Sequence, residues 1–172
     1  MAYLFVIAAV IFRIVPHPWN VTPLAAMFLF SGATFRNRVQ SLAVPFAALL
    51  VSDFAVDRFL YHGAYAWFSP YTWSGFLLIG LIGWVLHSKI TLRRVATASI
   101  VGSVSFFFLT NFGVWAAGGL YPHNFAGLTD CYVAGLPFFR NTILGDLAWS
   151  GILFGTYEWV NHRRTLAPAE TH

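Results

Sequence analysis

Seven of the ten Lys and Arg residues fall into three short clusters that divide an apolar chain into long intervals. The clusters are Arg36 with Arg38, Lys89 with Arg93 and Arg94, and Arg163 with Arg164. We interpret each interval as two membrane crossings, each formed by one apolar segment. A straight crossing takes about 20 residues, and the first two segments of the chain are shorter than that. Because basic loops favour the cytoplasmic side of a membrane, the pattern predicts six transmembrane segments with both termini in the cytoplasm.

The composition favours a membrane bundle over a soluble domain. Of the 172 residues, 58% are hydrophobic and 9% are charged, whereas soluble domains carry about 25% charged residues. We therefore expect an all-α, polytopic helix bundle over residues 1–162, with a short polar cytoplasmic tail over residues 163–172, in the bacterial cytoplasmic (inner) membrane. The formal charge of +4 is spread over membrane-edge loops, which favours anionic lipid headgroups as partners and argues against a nucleic-acid surface.

The six segments are predicted from apolar runs and their breakers. A cap residue, Thr22, followed by Pro23 indicates the start of the second segment. After the fifth segment, the apolar residues 120–137 are expected to form an outer loop that folds back as a short helix or re-entrant piece. The predicted segments are residues 2–15, 22–35, 39–61, 71–87, 95–117 and 138–161.

Charged and amide side chains concentrate in the outer halves of these segments. Asp53 and Asp57 are four residues apart, so they share a helix face. At a rise of 1.5 Å per residue, Asp53 and Asp146 both lie roughly 12 Å below the outer ends of their segments. Charged residues inside a span are costly and usually face a bundle interior or a cavity. The pattern predicts a polar cup that opens to the outside.

This cup is the candidate ligand site, and Trp19 and Trp115 would add aromatic faces to it. An alternative reading is structural, in which three arginines pair with three aspartates and hold the helices in register; the same arrangement can serve both purposes. The candidate ligand-binding residues are Arg13, Trp19, Asn20, Asp53, Asp57, Arg58, Asn111, Trp115, His123, Arg140, Asn141 and Asp146.

Small residues at close-packing spacings mark two further helix faces. They are Gly75, Gly80 and Gly83 in the fourth segment, and Ala98, Ser99, Gly102 and Ser103 in the fifth. Small faces let helix backbones approach in lipid. We interpret them as packing within the bundle, with docking of another membrane subunit as the alternative.

Metal and enzyme chemistry have little support in the sequence. His17, His123 and Cys131 are conceivable ligands for a metal or a metallated cofactor, but their spacing fits no metal motif. No G-x-S-x-G, H-E-x-x-H or P-loop motif occurs. We predict no metal site and no enzyme activity, and no cofactor is identified. An intramembrane enzyme that depends on Asp53 or Asp146 is the third alternative.

Several stretches, in order along the chain, resemble a largely uncharacterised family of small bacterial integral membrane proteins. They are Arg13-Ile-Val-Pro-His-Pro-Trp-Asn-Val-Thr-Pro23, Ser52-Asp53, the run from Thr110 to Trp115, Gly127 to Tyr132, Leu136 to Thr142, and Gly145-Asp146. More distantly, the size, the six segments and the Asn-x-x-Pro opening of the second segment are similar to substrate-binding S components of energy-coupling-factor vitamin transporters.

The distant resemblance implies an outward vitamin site and partners that energise transport, namely a transmembrane coupling subunit and two ATPases. It also implies small residues on the first segment, where this chain has Ala8 and Ala9 but no Ala-x-x-x-Ala pattern. The leading hypothesis is a membrane-embedded protein that binds a vitamin-like small molecule for uptake. The alternative is an accessory subunit of a larger membrane complex that contains a pigment or cofactor.

Overall fold

A computed structural model describes residues 2–14, 20–59, 62 and 69–166 of the chain. Within these ranges the protein consists of six α-helices and no strand, which confirms the all-helical expectation. The helices are α1 (Ala2–Ile14), α2 (Leu24–Thr34), α3 (Arg38–Phe59), α4 (Pro70–Leu86), α5 (Leu92–Ala117) and α6 (Phe125–Leu166).

Contacts between side chains show how neighbouring helices run. The Tyr3 hydroxyl donates to Gln40 Oε1 at 3.0 Å, and Arg13, further along α1, pairs with Asp53, further along α3. These two helices are therefore parallel. The Tyr132 hydroxyl donates to the Phe108 carbonyl oxygen, whereas residues later in α6 contact residues earlier in α5, so α5 and α6 are antiparallel.

Helix α2 lies at the centre of the bundle. Ten successive residues, Leu24–Ala33, are buried. Its 11 residues extend only about 16 Å, well short of the roughly 30 Å hydrocarbon core of a bilayer. A Cβ added to Gly32 would lie 2.2 Å from the Gly80 carbonyl oxygen, so α2 and α4 meet backbone to backbone. The predicted packing role of Gly80 agrees with this contact.

Two helices, Arg38–Phe59 and Leu92–Ala117, are long and apolar enough to cross a membrane, as judged by length and composition alone. Helices α1, α2 and α4 are apolar but shorter. One side of α1 exposes Leu4, Ile7 and Ile11, while Val6 and Ala9 are buried in the bundle. The remaining membrane segments stay a prediction.

The longest helix differs from its predicted bounds. Helix α6 begins at Phe125, so most of the expected loop over residues 120–137 forms one continuous helix with the predicted sixth segment, and Pro137 lies inside it. Its start is stabilised by Asn124, whose side-chain oxygen accepts from the Gly127 amide at 2.9 Å. The helix continues to Leu166, so residues 163–166 extend it where a tail was predicted.

The start of α2 also differs from the prediction. Pro23, rather than Thr22, occupies the N-cap position, and the Met27 amide donates to the Pro23 carbonyl oxygen at 2.8 Å. The proline is thus the last residue before the helix instead of its first. The helix consequently begins at Leu24, close to the polar residues described next.

Candidate functional site

A cavity of about 230 Å³ lies at one end of the bundle. It is bordered by the end of α1, the second half of α3, the starts of α2 and α4, and the middle of α5 and α6. The basic residues Arg36 and Lys89 belong to the connections at the opposite helix ends, and Arg38 is the first residue of α3 there. The lining residues are Arg13, Asn20, Thr22, Leu24, Ala25, Leu49, Asp53, Ser69, Thr72, Phe76, Phe106, Thr142 and Asp146.

A buried ion pair forms one wall of the cavity. The Arg13 guanidinium contacts Asp53 Oδ1 and also donates to Ser52 Oγ, and the Ser52 hydroxyl donates in turn to the Leu49 carbonyl oxygen at 2.9 Å. The side chains of Arg13 and Asp53 are 9% and 5% exposed. This geometry agrees with one of the ion pairs of the structural reading, and it places both charges on the cavity surface.

The opposite wall holds a second buried carboxylate. Asp146 is 4% exposed, and the Ser103 hydroxyl lies 2.6 Å from its Oδ2 atom. The same hydroxyl lies 3.0 Å from the Ser99 carbonyl oxygen, and the Ser150 hydroxyl lies 3.4 Å from Ser99 Oγ. A small polar cluster between α5 and α6 therefore fixes the orientation of Asp146 toward the cavity.

The charges of the described lining residues do not balance. Arg13 pairs with Asp53, which leaves Asp146 as a carboxyl group without a basic partner among the described lining residues. Within the part of the chain that the structure describes, no Lys or Arg forms an ion pair with Asp146; its polar partner there is Ser103. Helices α2 and α4 begin at the cavity, and the positive partial charge at helix N-termini favours a carboxylate nearby.

Aromatic rings form the apolar part of the cavity surface. Phe76 from α4 and Phe106 from α5 both line it, with ring centroids 4.7 Å apart. Phe28 of the central helix stacks on Phe76 at 5.4 Å and supports it from behind. Fixed polar groups in a cavity with apolar walls are the usual construction of a small-molecule site.

A second cavity, of about 210 Å³, adjoins the first. Asn20, Phe106 and Thr142 line both cavities. The second lies between α5 and α6, and its lining combines four phenylalanine rings with four polar residues, among them Asn111. The Asn111 side chain donates to the Phe107 carbonyl oxygen at 2.8 Å. Its remaining lining residues are Phe107, Thr110, Gly135, Phe138 and Phe139.

Gly145 explains how Asp146 reaches this position. A Cβ on Gly145 would lie 3.0 Å from the Cα atom of Val21, so α6 packs directly against the backbone that precedes α2. The neighbouring Asn20 has a φ of 61°, a left-handed conformation that asparagine tolerates better than most residues. This contact brings Asn20 and Asp146 to the same cavity.

The other candidate residues that the structure describes lie outside the first cavity. Arg58 and Arg140 are exposed. An ion pair between Arg140 and Asp146, as the structural reading allowed, does not form, because the polar partner of Asp146 is Ser103. Asp57 and Asn141 are half-buried and each has an interaction of its own. Trp19 lies outside the described residues.

Two predicted residues pair with each other at the turn between α5 and α6. The ring of Trp115 lies 5.5 Å from that of exposed His123, and Trp115 Nε1 donates to the Pro122 carbonyl oxygen. Cys131 is buried against the Asn111 carbonyl oxygen. The described residues include no group of three His, Cys, Asp or Glu side chains placed to hold a metal ion, and His17 lies outside them.

Sequence reasoning missed part of the lining. Ser103 and Ser99 were interpreted as small packing residues, but their i, i+4 spacing on one face with Asp146 opposite is also the signature of a hydroxyl cluster. Ser69 was missed although it precedes Pro70, and it caps α4 by accepting from the Thr72 amide. The lining residues of the first cavity without a prior signal are Leu24, Ala25, Leu49, Thr72, Phe76, Phe106 and Thr142.

The model of the family described as DUF6580, a family of unknown function, matches residues 1–169 of the chain. No curated protein and no solved structure matches the chain.

Proposed function

The chain belongs to DUF6580, a family of unknown function, and we propose that it is a multi-pass protein of the bacterial cytoplasmic membrane that binds a small molecule for uptake. The observation that carries this proposal is the placement of Asp53 and Asp146, both buried, on one cavity of about 230 Å³. The cavity opens toward the outer side in this account.

The proposed topology has six crossings and cytoplasmic termini. The alternation of helix directions and the basic residues at one set of helix ends support it. The central helix α2 is too short to span a bilayer but is enclosed by the others. Helix α6, with 42 residues, is about 63 Å long and would extend beyond the roughly 40–45 Å of a bilayer with its headgroups.

A purely structural role explains Asp53 better than Asp146. Burying a carboxylate is costly unless it is paired and hydrogen-bonded, and Asp53 has Arg13 as its partner. Asp146 faces the same cavity with a serine hydroxyl as its partner. A charged residue retained inside a membrane without a paired cation usually serves a ligand or ion path. We therefore assign Asp146 to ligand contact.

The size of the site limits the ligand. Either cavity alone is smaller than the roughly 300 Å³ at which pockets for drug-sized ligands begin, and together they exceed it. A vitamin-like molecule would extend from Asp146 into the aromatic cavity near Asn111. The second cavity would then add phenylalanine rings to the site that contains Asp146.

The energy source for uptake is part of the proposal. The chain has no ATP-binding motif, so it acts as a facilitator or with a coupling subunit and ATPases, as the similarity to S components implies. Ala9 is 1% exposed and packs inside the bundle. Ala9 is therefore not available for a small-residue docking face of the kind that S components use, which favours a different contact surface.

Native mass spectrometry of the protein, extracted gently from its own membranes, tests this function. We expect a small-molecule adduct that is lost in Asp53→Asn and in Asp146→Asn. Asp130→Asn is the matched control, because Asp130 is an exposed carboxylate on the same helix as Asp146. Unchanged ligand retention in the two cavity variants would rule out the assigned site.

A second candidate function is an accessory subunit of a larger membrane complex. It is favoured by the outer turn between α5 and α6, where Leu120 is 80% and Phe125 is 83% exposed. Two large apolar side chains at one turn are suited to contact with a neighbouring protein. Co-purification of a stable complex that protects this turn, without a small-molecule adduct, would support this function.

A further inference from the structure

The two adjoining cavities differ in chemistry, and the difference restricts the ligand. The first carries Asp146, which has no basic partner among the described residues, while the second adds the rings of Phe107, Phe138 and Phe139 beside the polar side chains of Thr110 and Asn111. We propose that the ligand carries a protonated amine that pairs with Asp146 and an apolar or ring portion that occupies the aromatic cavity. This inference rests on the proposed function, because it names the ligand class of the same site.

The position of Asp146 supports an ammonium partner. Its Oδ2 atom is held by Ser103, and the carboxylate lines the cavity while only 4% exposed. An ammonium group donates hydrogen bonds and carries the compensating charge in a place where solvent is scarce. The guanidinium of Arg13 does not supply that charge, because it contacts Asp53 and Ser52.

The aromatic rings favour the same ligand class. Phe76 and Phe106 line the carboxylate cavity, and a cation near the face of an aromatic ring is attracted by the ring quadrupole. Phe107 and Phe139, with ring centroids 4.5 Å apart, line the second cavity and offer stacking surface for a ring. The helix N-termini at the cavity have the opposite preference, for an anion. The formal charge of the lining is nevertheless negative, because Arg13 offsets only one of the two aspartates, Asp53 and Asp146.

An anionic ligand fits this lining less well. It would approach an unneutralised carboxylate, and like charges in a site with little water repel strongly. A neutral ligand would leave Asp146 without a charge partner. The three charge classes are therefore distinguishable by one set of ligands of similar shape.

The experiment uses the full-length protein in lipid nanodiscs and isothermal titration calorimetry. The probes are 2-phenylethylammonium, the neutral 2-phenylethanol and the anionic 3-phenylpropanoate, with empty nanodiscs subtracted. We expect the ammonium to bind more tightly than the other two. In Asp146→Asn, its affinity should fall by at least about tenfold, as truncation of a buried charge pair usually does, while Asp130→Asn retains it.

The affinity for 2-phenylethanol shows whether the cavity of Asp146→Asn is intact, since this probe does not need the charge. Equal or tighter binding of the alcohol or the anion to the native chain would overturn the proposed ligand class. So would an unchanged ammonium affinity in Asp146→Asn, or no ammonium binding at all. A neutral or anionic native adduct would then preserve the proposed function, whereas a native chain with no adduct would remove both.

Discussion

The guanidinium of Arg13, near the end of α1, forms a buried ion pair with the carboxylate of Asp53, which lies 40 positions later in α3. The pair ties two parallel helices together at the edge of a cavity. Ser52 accepts a further hydrogen bond from the same guanidinium and keeps it directed along α3. This pair stabilises the fold and also shapes the candidate site.

Removing one partner of this pair should destabilise the protein. In Arg13→Met, Asp53 remains buried without its cation, and such a loss typically costs about 3–5 kcal/mol. We expect a lower free energy of unfolding in SDS titrations of the protein in mixed micelles. The double variant Arg13→Met with Asp53→Leu should recover much of the loss, and Arg58→Met, which changes an exposed arginine, should cost little. Equal effects of Arg13→Met and Arg58→Met would contradict the assigned role.

The contact between α2 and α4 predicts a second stability effect. A Cβ at Gly32 would lie 2.2 Å from the Gly80 carbonyl oxygen, and no flexible side chain is present there to move aside. Gly32→Ala should therefore force the helices apart and cost about 1–3 kcal/mol, the usual range for overpacking. Gly155→Ala is the control, because nothing lies within 4 Å of its added Cβ. A Gly32 variant as stable as the control in the same SDS titration would disprove the close crossing.

A third prediction concerns ligand affinity. Gly145→Ala introduces a Cβ 3.0 Å from the Val21 Cα atom. It should displace the backbone next to Asn20, and with it the Asn20 side chain that lines the cavity. We expect the affinity for the native ligand to fall by at least about threefold, which corresponds to about 0.7 kcal/mol of binding free energy. Gly151→Ala, also on α6 but with nothing within 4 Å of its added Cβ, should retain the adduct. The measurement is the fraction of protein with adduct in native mass spectra.

The proposed topology predicts a pattern of accessibility in intact cells. In a background with Cys131→Ala, a membrane-impermeant thiol reagent should label Gly119→Cys and His123→Cys from outside. Arg36→Cys and Lys89→Cys should react only after the membrane is permeabilised, because basic loops favour the cytoplasm. External labelling of both basic-loop variants would reverse the orientation, and the cavity would then open to the cytoplasm.

Four of the residues predicted for the site, Arg13, Asn20, Asp53 and Asp146, line one cavity. Helical rise placed Asp53 and Asp146 at a similar depth, and both line the same cavity. Arg13 was a candidate because charged residues inside a span usually face a bundle interior or a cavity. These inferences depend on position along single helices, which an apolar pattern defines well.

Relationships between helices were harder to predict. The contact of Ser103 with Asp146 depends on which faces of α5 and α6 meet, and a serine among small residues fits packing equally well. Arg140 is only six positions before Asp146, yet it faces outward. A segment boundary gives no information about the direction in which a side chain points.

The predicted start of the sixth segment was wrong for a local reason. The loop was expected to end at Pro137, but the preceding turns are helical and begin after Asn124, which caps the helix. Contacts with α5 then stabilise this first part of α6, including the hydrogen bond from Tyr132 to the Phe108 carbonyl oxygen. Tertiary contacts thus overrode the local signal.

The central claim is that a small molecule occupies the cavity between Asp53 and Asp146. The most direct test is a cryo-electron microscopy structure of the protein from its native membranes, enlarged by a bound antibody fragment that leaves the cavity free. The account predicts non-protein density in contact with Asp146 that extends toward Asn111. A cavity without such density, in a chain whose turn between α5 and α6 is covered by another protein, would contradict the claim that a small molecule occupies this site.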